Sequence, residues 1–165
     1  IGKLSAGRGF EEALKAFATL RDSVSHARLM IIGHGEHRPA LEALTRSLGI
    51  ESSVIWAGYH EDDLAEHYRA SDLLLFTARG SDEGHRAILE AMACGVPVAT
   101  YPIEGVSALV PRDWIASAGD PETLAALAAS LLSRDAPALR REAVNCAKEF
   151  GYDRAAQRLI RAYSS

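Results

Sequence analysis

The chain holds 165 residues, 48% hydrophobic and 24% charged, with a formal net charge of −4. That length suits one domain with a sizeable core, and the balance is that of an ordinary globular chain. The mild acidity gives no reason to expect a nucleic-acid surface, no apolar run approaches the ~20 residues of a membrane span, and no secretory leader is expected from the first residues.

The chain starts at Ile1 without a methionine, and Ile1-Gly2-Lys3-Leu4 looks like the end of a strand. A fragment is the expectation, with residues 1–165 as one half of a two-domain protein. Phe10, Ala13, Leu14, Phe17, Leu20 and Val24 then give one helical face. Leu29 to Ile32 predicts a short buried strand, stopped by Gly33-His34-Gly35. Pro39 opens a helix carrying Leu41, Leu44 and Leu48, and Gly49 closes it. Val54-Ile55-Trp56 is a third strand, and Leu64, Ala65 and Tyr68 mark a short helix. Leu73 to Phe76 is a fourth, apolar strand, followed by a polar turn and an alanine-rich helix that Gly95 and Pro97 end.

Pro97 to Thr100 predicts a fifth strand and Trp114-Ile115-Ala116 a short sixth. Asp120-Pro121-Glu122 caps a helix running to about Ser133, and two more helices follow, Pro137 to Phe150 and Tyr152 to Tyr163. Short apolar strands alternating with helices imply an α/β fold, a doubly wound parallel sheet covered on both faces. Two cysteines, Cys94 and Cys146, lie inside predicted helices. They make no disulfide framework and read as small buried hydrophobes in a reducing compartment, so a cytoplasmic location is expected.

Ligands of such sheets bind beyond the carboxyl ends of the strands. The loops there are Lys3–Gly9, Gly33–His37, Gly58–Asp62, Thr77–Gly84 and Tyr101–Ser107, and the unusual residues collect in them. The most informative run is Gly80-Ser81-Asp82-Glu83-Gly84-His85-Arg86, continuing into Ala87-Ile88-Leu89-Glu90-Ala91-Met92-Ala93. Asp82 is placed in the turn and Glu90 two turns into the helix, about 12 Å apart at ~1.5 Å per residue. That is near the span from a hexose to the ribose of a nucleotide-sugar. The helix N-terminus between them offers unpaired N–H groups and a positive dipole end, a seat for a pyrophosphate. Glu90 interrupts an apolar run, where a carboxylate needs partners. Ribose hydroxyls are suitable ones, and so is Arg86 four residues earlier.

This pattern resembles the donor-binding signature of the retaining GT-B glycosyltransferases of family 4 (glycosyl transferases group 1). That family shows an acidic residue, seven others, then a glutamate running into Glu-Ala-Met-Ala-x-Gly-x-Pro-Val. Asp82 and Glu90 have that spacing, and Glu90-Ala91-Met92-Ala93-Cys94-Gly95-Val96-Pro97-Val98 matches the tail. The first acid is Asp where Glu is commoner, and Glu83 lies one position out of register. Lys3-Leu4-Ser5-Ala6-Gly7-Arg8-Gly9 is similar to the family's Gly-Arg-Leu-Ser-x-x-Lys-Gly, with Lys and Arg interchanged, which removes bidentate contact at Lys3.

The resemblance implies a Rossmann-like domain, the C-terminal half of a GT-B fold, acting on a nucleoside diphosphate sugar with retention. Its partners would be the nucleotide-sugar and a missing N-terminal acceptor domain, without which the fragment would be inactive. It implies no cofactor and no bound metal. Lys3, Arg8 and the Gly84, His85 and Arg86 amides would hold the diphosphate, Asp82 the sugar and Glu90 the ribose. Tyr59, after Gly58, is placed beside the base, either stacked on it or packed at a strand end. His34, His37, His60, His67 and His85 come from different loops without ligand-like spacing, so no metal site is expected. The rival readings are a non-catalytic nucleotide-binding or interaction module of GT-B type and the half-domain of a nucleotide-sugar epimerase.

Overall fold

Apolar residues at helical spacing build the first element, α1 (Phe10–Ser23), whose buried face is Phe10, Ala13, Leu14, Ala16, Phe17 and Leu20. The computed structural model of the protein describes residues 1–78 and 82–151, with positions 82–84 described by backbone alone. After α1 come β1 (Leu29–Ile32), α2 (Arg38–Ser47), β2 (Val54–Gly58), α3 (Leu64–Arg69) and β3 (Leu74–Phe76). Then follow α4 (Asp82–Ala93), β4 (Val98–Thr100), α5 (Pro121–Leu132) and α6 (Ala136–Lys148). The expected helix over Tyr152–Tyr163 and the turn residues Gly80 and Ser81 lie outside the described residues.

The strands are parallel, as the alternation of strand and helix requires. β1 pairs with β2 from Leu29↔Val54 to Ile32↔Gly58, and β3 pairs with β4 from Leu74↔Val98 to Phe76↔Thr100. Helices α1, α2 and α5 pack together, as do α3, α4 and α6, so each helical layer has its own neighbours. Between them sits a core whose largest fully buried members are Trp114, Tyr101, Phe17, Leu4 and Leu14.

The structure departs from the sequence expectations in four places. Among the described residues the sheet is two two-stranded pieces, not one continuous sheet. Ile1–Leu4 is not assigned as strand, although its amides follow the end of β1. Trp114–Ala116 makes only a single bridge, Thr100↔Ile115, because a short 3-10 turn at Arg112–Trp114 leaves too little extended chain to pair. The cysteines are half-buried, and Cys94 lies just past the end of α4; burial pushes the Cys146 thiol up.

Helix α4 ends as its sequence predicts. Gly95 takes φ 78, its N–H bonds Met92 O at 2.9 Å, and Val96 N–H bonds Ala91 O at 2.9 Å, the pair of bonds of a Schellman motif. At the start of α5, the Asp120 carboxylate accepts the Thr123 N–H at 2.8 Å. That bond holds the Asp120 carboxyl below its ordinary value of 3.8. A carboxyl depressed in the folded state adds stability above its unfolded pKa and loses it as pH falls through the lower folded value. Asp120→Asn keeps a cap acceptor but does not titrate. Thermal melts from about pH 7 to about pH 2.5 should therefore show the parent's advantage over Asp120→Asn shrinking at the acid end; a gap independent of pH would contradict the cap.

Candidate functional site

The carboxyl-end loops are stitched to one another by main-chain contacts. Gly2 N–H donates to Ile32 O at 2.9 Å and Leu4 N–H to His34 O at 2.8 Å, so the first loop lies along the end of β1. The approach is backbone on backbone: a Cβ at Gly33 would fall on the Gly2 carbonyl oxygen, and one at Gly35 on that of Leu4. The glycines of Gly33-His34-Gly35 are therefore required by the chain crossing over them. Gly33 N–H also donates to Gly58 O at 2.6 Å, and the His34 ring stands edge-on to Tyr59 at 5.2 Å. Tyr59 is 60% exposed, so of the two sequence readings the packed strand-end aromatic is not realised.

The first loop is fixed at its other end by a side chain. Thr77, buried at the end of β3, donates its hydroxyl to Gly9 O at 2.7 Å. Gly9 has φ 84, and a Cβ there would fall on the Thr77 carbonyl. Lys3 and Arg8 are exposed on this anchored loop. The chain beyond Thr77 leads to α4, which begins at Asp82 itself, whereas the sequence placed Asp82 in the turn ahead of the helix. The side chains of Asp82 and Glu83 lie outside the description. His85 is half-buried and Arg86 exposed, and a Cβ on Gly105 would sit 3.3 Å from His85 Cε1, so the first turn of α4 meets the loop after β4.

Glu90 is held from two sides. Its Oε2 accepts the Tyr68 hydroxyl at 3.1 Å, and its Oε1 lies 3.3 Å from Arg86 Nε. The Arg86 partnership that the sequence offered as an alternative is thus present, but the arginine side chain is 80% exposed and the glutamate 35%. An exposed pair of this kind is worth little. Tyr68 is the stronger partner because it is buried, and burial, with the Glu90 charge beside it, pushes its phenol well above the usual range. Sequence reading took Tyr68 only as a helix marker. It lies 22 residues from Glu90 on another helix, a separation that leaves no local signal.

One further grouping was not foreseen. His60, Asp63 and His67 converge at the β2–α3 junction, with one potential ligand atom from each lying within 4.8 Å of the others. His60 Nδ1 lies 2.8 Å from Asp63 Oδ1, a hydrogen bond that raises the His60 pKa and lowers that of Asp63. His37, by contrast, is taken up by Glu11 at 2.5 Å, which ties the start of α2 to α1.

The group 1 glycosyltransferase family model ("Glycosyl transferases group 1") matches residues 1–134. The chain belongs to that family. It is 32% identical over 176 residues to D-inositol 3-phosphate glycosyltransferase of Rhodococcus opacus, covering 99% of this chain and 39% of that protein. It spans well under half the length of the curated relatives it matches.

Among solved structures, Anabaena HepE in complex with UDP and glucose matches with TM-score 0.79 at 22% identity, over 99% of this chain and 47% of that one. The C-terminal domain of the group 1 glycosyltransferase LpcC from Francisella tularensis matches with TM-score 0.73 at 20% identity, over 95% of this chain and 82% of that one. These establish the GT-B fold class for the chain. Among the described residues no helix is long and apolar enough to cross a membrane.

The Gly9–Thr77 contact makes the loop geometry testable. Thr77→Val keeps the shape and removes one of the two donors of the Gly9 carbonyl, leaving the Ala13 N–H at 3.0 Å, at a cost of about 0.5–1.5 kcal/mol. Urea melts should show that loss for Thr77→Val and little for Thr77→Ser. Gly9→Ala should destabilise too, since alanine meets both an unfavourable φ and the Thr77 backbone.

Proposed function

We propose that residues 1–165 are the donor-binding domain of a retaining glycosyltransferase that takes a sugar from a nucleoside diphosphate sugar in a transfer step using no metal. A separate N-terminal acceptor domain of the same protein completes the active site, and the enzyme works in the cytoplasm. The observation that carries this reading is the anchoring of the first loop. The Gly9–Thr77 bond brings the loop of Lys3 and Arg8 to the end of β3, the strand that precedes α4, with Glu90 two turns along that helix. Similarity to a UDP- and glucose-bound protein and to an isolated C-terminal domain supports the same assignment.

In this reading Lys3, Arg8 and the main-chain amides of Gly84, His85 and Arg86 neutralise the departing diphosphate. Such pre-aimed donors are the largest contribution a protein makes to this kind of step. Asp82 orients the sugar. Glu90 accepts from the ribose hydroxyls, using lone pairs that the single Tyr68 bond does not occupy, and Tyr68 keeps the carboxylate turned to the site. A second reading, a nucleotide-binding module without catalysis, is favoured by one observation: Glu90 already has both Tyr68 and Arg86 as partners.

Calorimetry with UDP, GDP and ADP tests the first reading. One of the three should bind, and failure of all at several-millimolar concentration would defeat it. Lys3→Ala and Arg8→Ala should each weaken the diphosphate by about 1.5–3 kcal/mol and leave the nucleoside little changed.

The acids should separate by role. Asp82→Ala should spare nucleotide affinity yet sharply reduce transfer by the two-domain enzyme, and Glu83→Ala should do little. Glu90→Gln should weaken the nucleotide by about 1–3 kcal/mol, and Tyr68→Phe by about 0.5–1.5 kcal/mol. Binding that survives with no transfer by the two-domain protein would favour the module.

A further inference from the structure

We propose that His60, Asp63 and His67 form a binding site for a first-row divalent metal ion of the zinc type, fastening the loop after β2 to the start of α3. The three residues bring two imidazoles and one carboxylate together, with one potential ligand atom of each within 4.8 Å of the others. Their two rings lie with centroids 3.9 Å apart. A set of two nitrogens and one oxygen, with a fourth position left for water, is a common donor set for Zn²⁺ and suits Co²⁺ and Ni²⁺ as well.

The hydrogen bonds around the rings point the same way. His60 Nε2 lies 3.0 Å from the Ala57 carbonyl oxygen, and its Nδ1 lies 2.8 and 3.0 Å from the two oxygens of Asp63. Every neighbour of this ring is an acceptor. With Nε2–H given to Ala57, Nδ1 faces the Asp63 carboxylate, where it carries a proton in the hydrogen bond described above or, on losing it, offers a lone pair to a metal ion. His67 Nδ1 lies 3.1 Å from the Asp63 main-chain oxygen, which directs its N–H there and leaves Nε2 with the lone pair. In each ring one nitrogen is thus held by a main-chain carbonyl while the other, once deprotonated, is open to a metal ion. That is how outer hydrogen bonds orient metal-ligating histidines.

Partial exposure supplies access: the side chains of His60, Asp63 and His67 are 25%, 46% and 21% exposed. The position also gives the ion a structural effect. Asp63 is the residue just ahead of α3, and the residue after His67 is Tyr68, whose hydroxyl holds Glu90. An ion here would fix the beginning of the helix that sets Glu90.

The test uses tag-free protein stripped with a chelator, titrated with Zn²⁺ by calorimetry and with Co²⁺ by visible absorption. One ion should bind per chain with a dissociation constant in the micromolar range or tighter, with the intense absorption of four-coordinate cobalt. Zn²⁺ should also raise the melting temperature by mass action. His67→Ala and Asp63→Asn should each weaken binding by about ten-fold or more, the scale on which metal sites respond to lost partners. His26→Ala, at an exposed histidine elsewhere, should change nothing. If His67→Ala does not fold, His67→Gln, which keeps a donor for the Asp63 carbonyl, takes its place. Absence of one-to-one binding at millimolar Zn²⁺, or binding that survives both the His67 and the Asp63 substitutions, would overturn the proposal.

Discussion

Backbone lying directly on backbone, at Gly2 over Gly33, Leu4 over Gly35 and Gly9 against Thr77, is the constraint on which the site edge depends. Contacts of that kind leave no room for a Cβ, so each needs a glycine on one side. The Thr77 hydroxyl adds direction, since it gives the Gly9 carbonyl a second donor beside the Ala13 N–H of α1. Together these contacts turn a seven-residue basic loop into a fixed part of the strand ends. Lys3 and Arg8 gain their placing from it.

Helix α4 links that edge to the core. Its last turn is closed by the Gly95 bonds to Met92 and Ala91, and its inner face buries Ile88, Ala91 and Met92 completely. Glu90 sits beside those residues without being drawn under, because its neighbours Tyr68 and Arg86 supply donors at the boundary. The buried phenol is the more constraining of the two: it cannot turn to water, whereas the arginine can. Helix α3 is thereby tied into the site although no residue of its sequence announces a role.

Much of this organisation is legible in the amino-acid order. The helices over Phe10–Ser23, Pro121–Leu132 and Ala136–Lys148 follow from apolar spacing and from local stop and start residues, which act within four residues of one another. The strand positions follow from short apolar runs bounded by glycine. Which strands pair, β1 with β2 and β3 with β4, does not follow, because strand pairing is a long-range choice that a short run such as Leu74–Phe76 cannot encode.

The sequence by itself determined the alternation of parallel strands and helices, the family signature from Asp82 to Val98, and the presence of two cations in the first loop. These are local patterns, set by periodicity, capping and spacing. Only the tertiary structure decided that Gly33 and Gly35 serve a chain crossing and that Asp82 opens a helix. It alone decided that Tyr68 reaches Glu90, and that His60 and His67 meet across Asp63. Those outcomes depend on where separate elements come to rest against each other. Packing sets the Gly2–Gly33, Leu4–Gly35 and Tyr68–Glu90 contacts, whose partners stand far apart in the chain, while the His60–Asp63–His67 grouping depends on how the chain turns into α3.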